Sequence, residues 1–246
     1  MQRLMVEPDQ VVADRLRLHP SQQHYLYRVL RLGPGQQFVA LDGRGQQWVA
    51  SLTTESDWAA IAPMATAMPT LLAPITLAIA LPKGGGFDEV VRQTTELGVT
   101  TLQPVISDRT LHQPNPKKLE RWQRIATEAT EQSERLLRPQ ILPPLPWRDY
   151  VQRPPEGYRW ICVARGEAPH LLTVAQASDP AVAAAIAVGP EGGWTAAEVE
   201  GAIAAGFQPV SLGPYVLRAV TAPLAALALV SAARAPGNSP AKFKDI

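Results

Sequence analysis

Hydrophobic and polar positions change period along the chain. In the first 70 residues the apolar runs are short. Gln36 to Leu41 and Gln47 to Leu52 are two such runs, carrying Phe38, Val39, Leu41, Trp48, Val49 and Leu52, with Asp42-Gly43-Arg44-Gly45 between them. Asp-Gly between two such runs predicts a β-hairpin. Ser21 to Leu32 predicts a short helix. Tyr25, Leu26, Val29 and Leu30 share a face at helical spacing, Ser21 is placed to cap it and Gly33 to end it. Arg28 and Arg31 then sit on another face. The region reads as β-rich, and residues 66–74 as a linker.

After the linker the pattern becomes strand–helix–strand. Ile75 to Leu81 is a nearly continuous apolar run, as expected of a strand buried on both faces. Phe87 to Leu97 is an amphipathic helix closed by Gly98, and Thr101 to Ile106 is a second strand. Asn115-Pro116 opens a helix running to roughly Arg135, with Leu119, Trp122, Ile125, Ala126 and Ala129 as its apolar stripe. Residues 139–157 are rich in proline and read as an irregular connection. Arg159 to Ala164 is a third strand. A last helix, about Ala219 to Ala233, is almost wholly apolar, which predicts burial or a subunit interface. Alternation of this kind argues for a mostly parallel sheet with helices on both faces.

Residues 184–218 carry the most informative pattern. Ala184 to Val188 is an apolar strand running into Gly189-Pro190-Glu191-Gly192-Gly193, and Thr195-Ala196-Ala197-Glu198 has capping-box spacing for a helix that Gly206 ends. Pro209 to Leu212 is a short strand running into Gly213-Pro214, then Tyr215-Val216-Leu217-Arg218. Glycine lets a backbone approach a ligand closely, and proline stiffens a loop. Two such loops at adjacent strand ends form a crevice of the kind in which α/β sheets bind ligands.

Composition narrows the chemistry. The chain has 246 residues, 46% of them hydrophobic, and a net charge of +1, so any basic patch is local. Segment 109–138 is such a place, with Arg109, Lys117, Lys118, Arg121, Arg124, Arg135 and Arg138 against four glutamates. It reads either as a solvated helix face or as a nucleic-acid contact. A single cysteine, Cys162, lies in an apolar run, which excludes an internal disulfide framework and fits a reducing compartment. No signal peptide or membrane span is evident, so a soluble cytoplasmic protein is expected. The four histidines lack metal-ligand spacing, so no metal is expected. There is no G-x-S-x-G, no P-loop and no G-x-G-x-x-G.

The GPEGG loop, its capped helix and the downstream Leu212-Gly213-Pro214-x-Val216-Leu217-Arg218 resemble the signature of the RsmE-type 16S ribosomal RNA methyltransferases, a branch of the SPOUT class. Three further stretches share the resemblance: His24 to Arg31, Lys83-Gly84 with Glu96-Leu97-Gly98-Val99, and Glu128 to Ser133. The resemblance implies a small PUA-like or OB-like RNA-binding β-barrel over residues 1–70. It also implies a SPOUT methyltransferase domain over 71–246, an α/β fold with a trefoil knot and a mostly parallel sheet. A homodimer and a 16S rRNA or small-subunit partner follow from it, as does S-adenosylmethionine (SAM) as methyl donor. SAM would be held by Ala164, by Gly189, Pro190, Glu191, Gly192 and Gly193, and by Ser211, Leu212, Gly213, Val216 and Leu217. The implied acceptor is uridine N3, with Arg218 as the catalytic cation and Arg28, Arg31 and Lys83 toward RNA.

The chain departs from the family pattern at four places, one of them around Gln93, where the family has a lysine before the ELGV helix end. Tyr215 stands where the family has an arginine, Val220 where it has an acidic residue, and Gly84-Gly85-Gly86 where it has a charged loop. These departures keep two alternatives open: a catalytically weak or inactive relative that binds RNA or assembling ribosomes, and a SPOUT-like enzyme with another RNA target.

Overall fold

The computed structural model describes residues 1–64, 73–110 and 116–235. Most of the predicted linker, together with Asn115, His112 and the segment after Ala235, lies outside them. The chain divides into two compact units: Met1–Leu71 with Ala126–Arg138, and Leu72–Ile125 with Pro139–Ile246.

The first unit is a curled six-stranded sheet of β1 (Arg3–Met5), β2 (Val11–Val12), β3 (Arg15–Arg17), β4 (Gln37–Leu41), β5 (Gln47–Leu52) and β6 (Trp58–Pro63). Its order is β1-β4-β5-β6-β3-β2, antiparallel except for β1 beside β4. The expected small N-terminal barrel is this curled sheet, whose end strands β1 and β2 do not pair with each other among the described residues. The predicted hairpin joins β4 to β5, with Phe38 opposite Ala50. Its loop is longer than the two-residue turn that Asp-Gly suggests, because the Asp42 carboxylate accepts the Arg44 and Gln46 N–H groups and folds the intervening chain around itself. Gly43 sits at φ +66°, where a Cβ would meet Met5 Sδ at 2.9 Å.

The helix expected over Ser21–Leu32 is α1 (Pro20–Gln23), which continues as a π-helical segment over His24–Val29. Its N-cap is His19 and not Ser21, because Pro20 takes the first helical position, where its missing N–H costs nothing. Leu26 from this segment joins Leu4, Leu16, Phe38 and Leu52 in the core. Glu131, from the part of the long helix that belongs to this unit, accepts the Met5 N–H of edge strand β1 at 2.6 Å.

The second unit is a wholly parallel seven-stranded sheet. Its strands are β7 (Ile75–Ala80), β8 (Thr101–Ile106), β9 (Gln140–Ile141), β10 (Leu145–Pro146), β11 (Tyr158–Cys162), β12 (Ala184–Val188) and β13 (Gln208–Val210). The order is β10-β8-β7-β12-β11-β13, with β9 also beside β8. The helices are α2 (Gly86–Glu96), α3 (Pro116–Gln132), α4 (Trp147–Gln152), α5 (Leu171–Gln176), α6 (Ala196–Ala204) and α7 (Ala222–Arg234).

Alternation along the central strands sorts the two faces. Ala78, Ala80, Val105, Ile161 and Ala187 pack under α4 and α6 with Trp147, Tyr150 and Phe207. Leu77, Ile79 and Ile186 point the other way and are fully buried, beneath α2, α5 and α7. Two expectations need correction. The connection 139–157 is ordered as β9, β10 and α4: the prolines break the run between the two short strands, and Gln103 bridges that break by donating to the carbonyl of Pro143 at 2.9 Å. The last helix is also not buried all round. Ala226, Leu227 and Val230 face the sheet, whereas Thr221, Ala228 and Ala232 are exposed.

Candidate functional site

The C-terminal ends of β11 and β12 and the chain leaving β13 converge on one cavity of about 370 Å³. This is where an open parallel sheet binds small molecules, since strands end there and loops diverge.

The first wall is the loop after β12. All five residues of that strand are buried, so the chain leaves the core at Val188 and must turn at once. Gly193 N–H donates to the Pro190 carbonyl at 2.8 Å, with Gly193 at φ +68°. The loop folds over Trp194, whose indole would meet a Cβ on Gly189 at 3.1 Å. Trp194 itself packs against Trp147 with centroids 4.4 Å apart and the rings tilted by 31°, so the loop rests on packed aromatic rings. The indole N–H of Trp194 is buried without a partner among the described residues.

Outside contacts pin the same loop. The Lys83 backbone N–H donates to Glu191 Oε1 at 2.9 Å. The Arg109 guanidinium donates to the Gly192 carbonyl. Just beyond, Thr195 and Glu198 form the reciprocal capping box of α6, and the buried Glu198 carboxylate also accepts the Asp108 N–H at 2.8 Å. The sequence predicts the box but not this second partner, which ties the end of β8 to the start of α6.

The second wall is the loop after β13. Ser211 exchanges backbone hydrogen bonds with Pro169 and Leu171, so this loop is laced to the segment following β11. Ser211 Oγ accepts the Gly213 N–H at 3.2 Å, with Gly213 at φ +118°. Leu212, Gly213, Tyr215, Val216 and Leu217 line the cavity. Tyr215 and Val216 are 82% and 69% exposed at its rim.

The third wall is Cys162 to Arg165. Burial pushes the Cys162 thiol up to about 12, so it stays protonated and acts as a small apolar lining group.

The cavity therefore brings together Ala164, Gly189, Pro190, Glu191, Gly192, Gly193, Leu212, Gly213, Val216 and Leu217. Ser211 is not in its wall; it shapes the loop that is. Arg218 follows the wall without lining it. Its side chain is exposed and has no hydrogen-bond or ion-pair partner among the described residues, while its carbonyl accepts the Thr221 and Ala222 N–H groups at the start of α7. Lys83 is exposed in the loop that holds Glu191. Arg28 and Arg31 belong to the first unit, where both are exposed at the end of the π-helical segment and Arg31 adopts φ +57°.

Sequence reading missed Arg109, Trp194, Arg165, Ala219 and Ala222 in the lining. Arg109 had a signal only as one of several basic residues after β8, and Trp194 only as the residue following the glycines.

Two of the departures from the family pattern meet in space. A Cβ on Gly86 would stand 2.7 Å from Val220 Cγ1, so the bare backbone at Gly86 is what Val220 packs against. Val220 braces the loop after β7 through an apolar contact.

Two of the histidines take structural places: His19 and His170 sit at helix N-caps, and His170 Nδ1 accepts the Leu172 N–H. Among the described residues no group of three or more His, Cys, Asp or Glu side chains is placed to hold a metal. None of the described helices is long and apolar enough to cross a membrane.

Comparison with known proteins agrees with this geometry. Residues 69–231 match the RNA methyltransferase domain model, and residues 20–57 match the RNA methyltransferase PUA domain model. The chain is 47% identical over 94% of its length to ribosomal RNA small subunit methyltransferase E of Synechocystis, covering 77% of that protein. The corresponding Neisseria gonorrhoeae methyltransferase, solved bound to S-adenosyl methionine, superposes with a TM-score of 0.85. It is 34% identical over 94% of this chain and 97% of that one. A methyltransferase from Legionella pneumophila, solved with SAM, gives a TM-score of 0.81 at 26% identity over 94% and 97%. The α/β unit thus has the SPOUT-type fold of these enzymes, and the chain belongs to the family of ribosomal RNA small subunit methyltransferases E.

Proposed function

We propose that this protein transfers a methyl group from SAM to N3 of a uridine in the 16S rRNA of the small ribosomal subunit. The observation that carries the reading is the single cavity in which the Gly189–Gly193 and Leu212–Leu217 loops meet, with the unpaired Arg218 directly after it.

The residues present fit SAM. The cavity, about 370 Å³, lies within the range of small-molecule sites. Gly189, Gly192, Gly193 and Gly213 expose loop backbone in its walls, which supplies donors and acceptors for an adenine ring. The Trp194 indole N–H is a donor that no described protein group satisfies. Glu191 places a carboxylate on a cavity for a cationic ligand. When bound, SAM supplies an electrophilic methyl group.

The protein's own residues do the rest. Uridine N3 lies on the Watson–Crick edge, so the base must be unpaired or flipped to reach the cavity. N3 must also lose its proton, which passes to solvent water, and negative charge then spreads to the two carbonyl oxygens of the base. The exposed guanidinium of Arg218 stabilises that charge where it develops. Lys83, Arg28 and Arg31 contribute phosphate contacts. The first unit serves as an RNA-binding domain and the second as the methyltransferase. Pairing of two copies through the outward apolar face of α7 gives a homodimer, working in the cytoplasm. A non-catalytic RNA-binding role is not favoured, because the relatives carry methyltransferase names and one is solved with S-adenosyl methionine bound.

The test is methyl transfer from labelled SAM to small subunits isolated from cells lacking this gene, with the modified nucleoside identified by mass spectrometry. 3-Methyluridine is expected with the native chain. Arg218→Ala should lose turnover while keeping SAM affinity; unchanged turnover in that variant would remove Arg218 from the chemistry.

A further inference from the structure

The α/β unit carries a second concavity, of about 390 Å³, whose walls come from the loop after β7 and from the first turns of α2 and α3. Lys117, Lys118 and Arg121 line it, with Asp88 as the only acid among its lining residues. That is three cations to one carboxylate in a chain whose net charge is +1. Asp88 is already neutralised. Its Oδ2 accepts from Arg121 Nε at 2.7 Å and its Oδ1 from the Trp122 indole at 3.1 Å. Arg121 spends only Nε on this pair, so its two terminal nitrogens keep their donors. Trp122 and Phe87, buried with ring centroids 4.5 Å apart, make the base of the groove rigid.

The opposite rim is the glycine loop. A Cβ at Gly84 or Gly85 would meet nothing within 4 Å, so this stretch of backbone is bare and open to a passing strand. The same loop touches the cofactor cavity through Lys83 N–H to Glu191, and Gly86 packs against Val220, two residues past Arg218. A strand lying in the groove therefore runs alongside the loop that borders the reaction centre.

We propose that this groove seats the phosphate backbone of the single-stranded RNA flanking the target base, with Lys117, Lys118 and Arg121 as the phosphate contacts. The proposal rests on the methyltransferase reading above and deepens it. Guanidinium Nη groups pair with phosphate oxygens in a bidentate fork, and lysines neutralise phosphate as point charges. Contacts of this kind fix register and leave sequence choice to the base pocket.

The experiment compares the native chain with K117Q/K118Q and K117R/K118R. A labelled small-subunit rRNA fragment is titrated by fluorescence anisotropy across a salt series, SAM affinity is measured by calorimetry, and melting temperature is recorded. Two lost phosphate contacts should lower the slope of log affinity against log salt by about 1.4, using the single-strand coefficient. Between about 50 and 200 mM salt the affinity advantage of the native chain over K117Q/K118Q then shrinks roughly sevenfold. SAM affinity and melting should stay native, and K117R/K118R should restore the slope. An unchanged slope in K117Q/K118Q overturns the groove while methyl transfer by the native chain still stands. Loss of SAM affinity along with RNA affinity also overturns it, because the lysines then act on the fold or the cofactor cavity. A native chain that neither binds the fragment nor methylates small subunits overturns the methyltransferase reading and the groove together.

Discussion

Glu198 is the side chain whose removal the structure predicts most sharply. Its carboxylate is buried and accepts two backbone N–H groups, Thr195 within the capping box at 2.8 Å and Asp108 across the site at 2.8 Å. Hydrogen bonds to a charged group contribute about 1.5–3 kcal/mol each when one partner is deleted and the other is left buried. Glu198→Ala removes both, one donor at the start of α6 and one at the exposed Asp108 after β8; water can partly replace the lost acceptor at both, so a loss of about 2–3 kcal/mol is expected. Glu198→Gln keeps one acceptor oxygen and turns an amide NH2 toward the other donor, so it should cost about half as much. The effect should reach the cofactor. Asp108 precedes Arg109, whose guanidinium holds the Gly192 carbonyl, so freeing Asp108 loosens the wall of the cavity. SAM affinity should fall about tenfold, or about 1.4 kcal/mol. Urea unfolding gives the first quantity, provided the midpoint moves at constant slope, and calorimetry gives the second. An alanine variant that loses less than about 1 kcal/mol and binds SAM normally would refute the reasoning.

Two other perturbations probe the departures and the first unit. Gly86→Ala should be destabilising by about 1 kcal/mol in the native background, because its methyl meets Val220, and neutral or stabilising in Val220→Ala, where helix propensity alone acts; equal effects in both backgrounds would show the two do not couple. Burial raises the Glu131 carboxyl above its ordinary value, against the opposing Met5 N–H, so the folded state binds its proton more tightly than the unfolded chain. Its contribution to stability is therefore fully present below the ordinary carboxylate pKa and declines as pH rises through the folded value. Glu131→Gln, which still accepts the Met5 N–H, should flatten that decline in pH-dependent melting; an identical pH profile would exclude Glu131 as its source.

Much of the α/β unit was legible in the chain because its local signals agree with its tertiary role. Ala184–Val188 and Thr101–Ile106 are strands by the same apolar runs that bury them, and the Thr195–Glu198 box caps a helix wherever that helix packs. The GPEGG and LGP loops announced a ligand crevice because glycine and proline at strand ends are local requirements of backbone geometry. Local pattern failed where a residue's role depends on a partner far away in sequence. Ser21 yielded the cap to His19, and the proline-rich connection ordered into β9, β10 and α4 once β8 offered an edge to pair with.

By itself, then, the sequence determined the alternation of strands and helices, the two glycine loops and the family to which the chain belongs. These depend on the periodicity of side chains and on residues no more than a few positions apart. Only the tertiary structure decided that Arg109 clamps Gly192, that Lys83 reaches Glu191 through its backbone, and that Val220 packs on Gly86. It alone gathered Lys117, Lys118 and Arg121 opposite the glycine loop. Such contacts are set by how the sheet orders its strands, and strand order is a property of the packed whole that no short window of sequence contains.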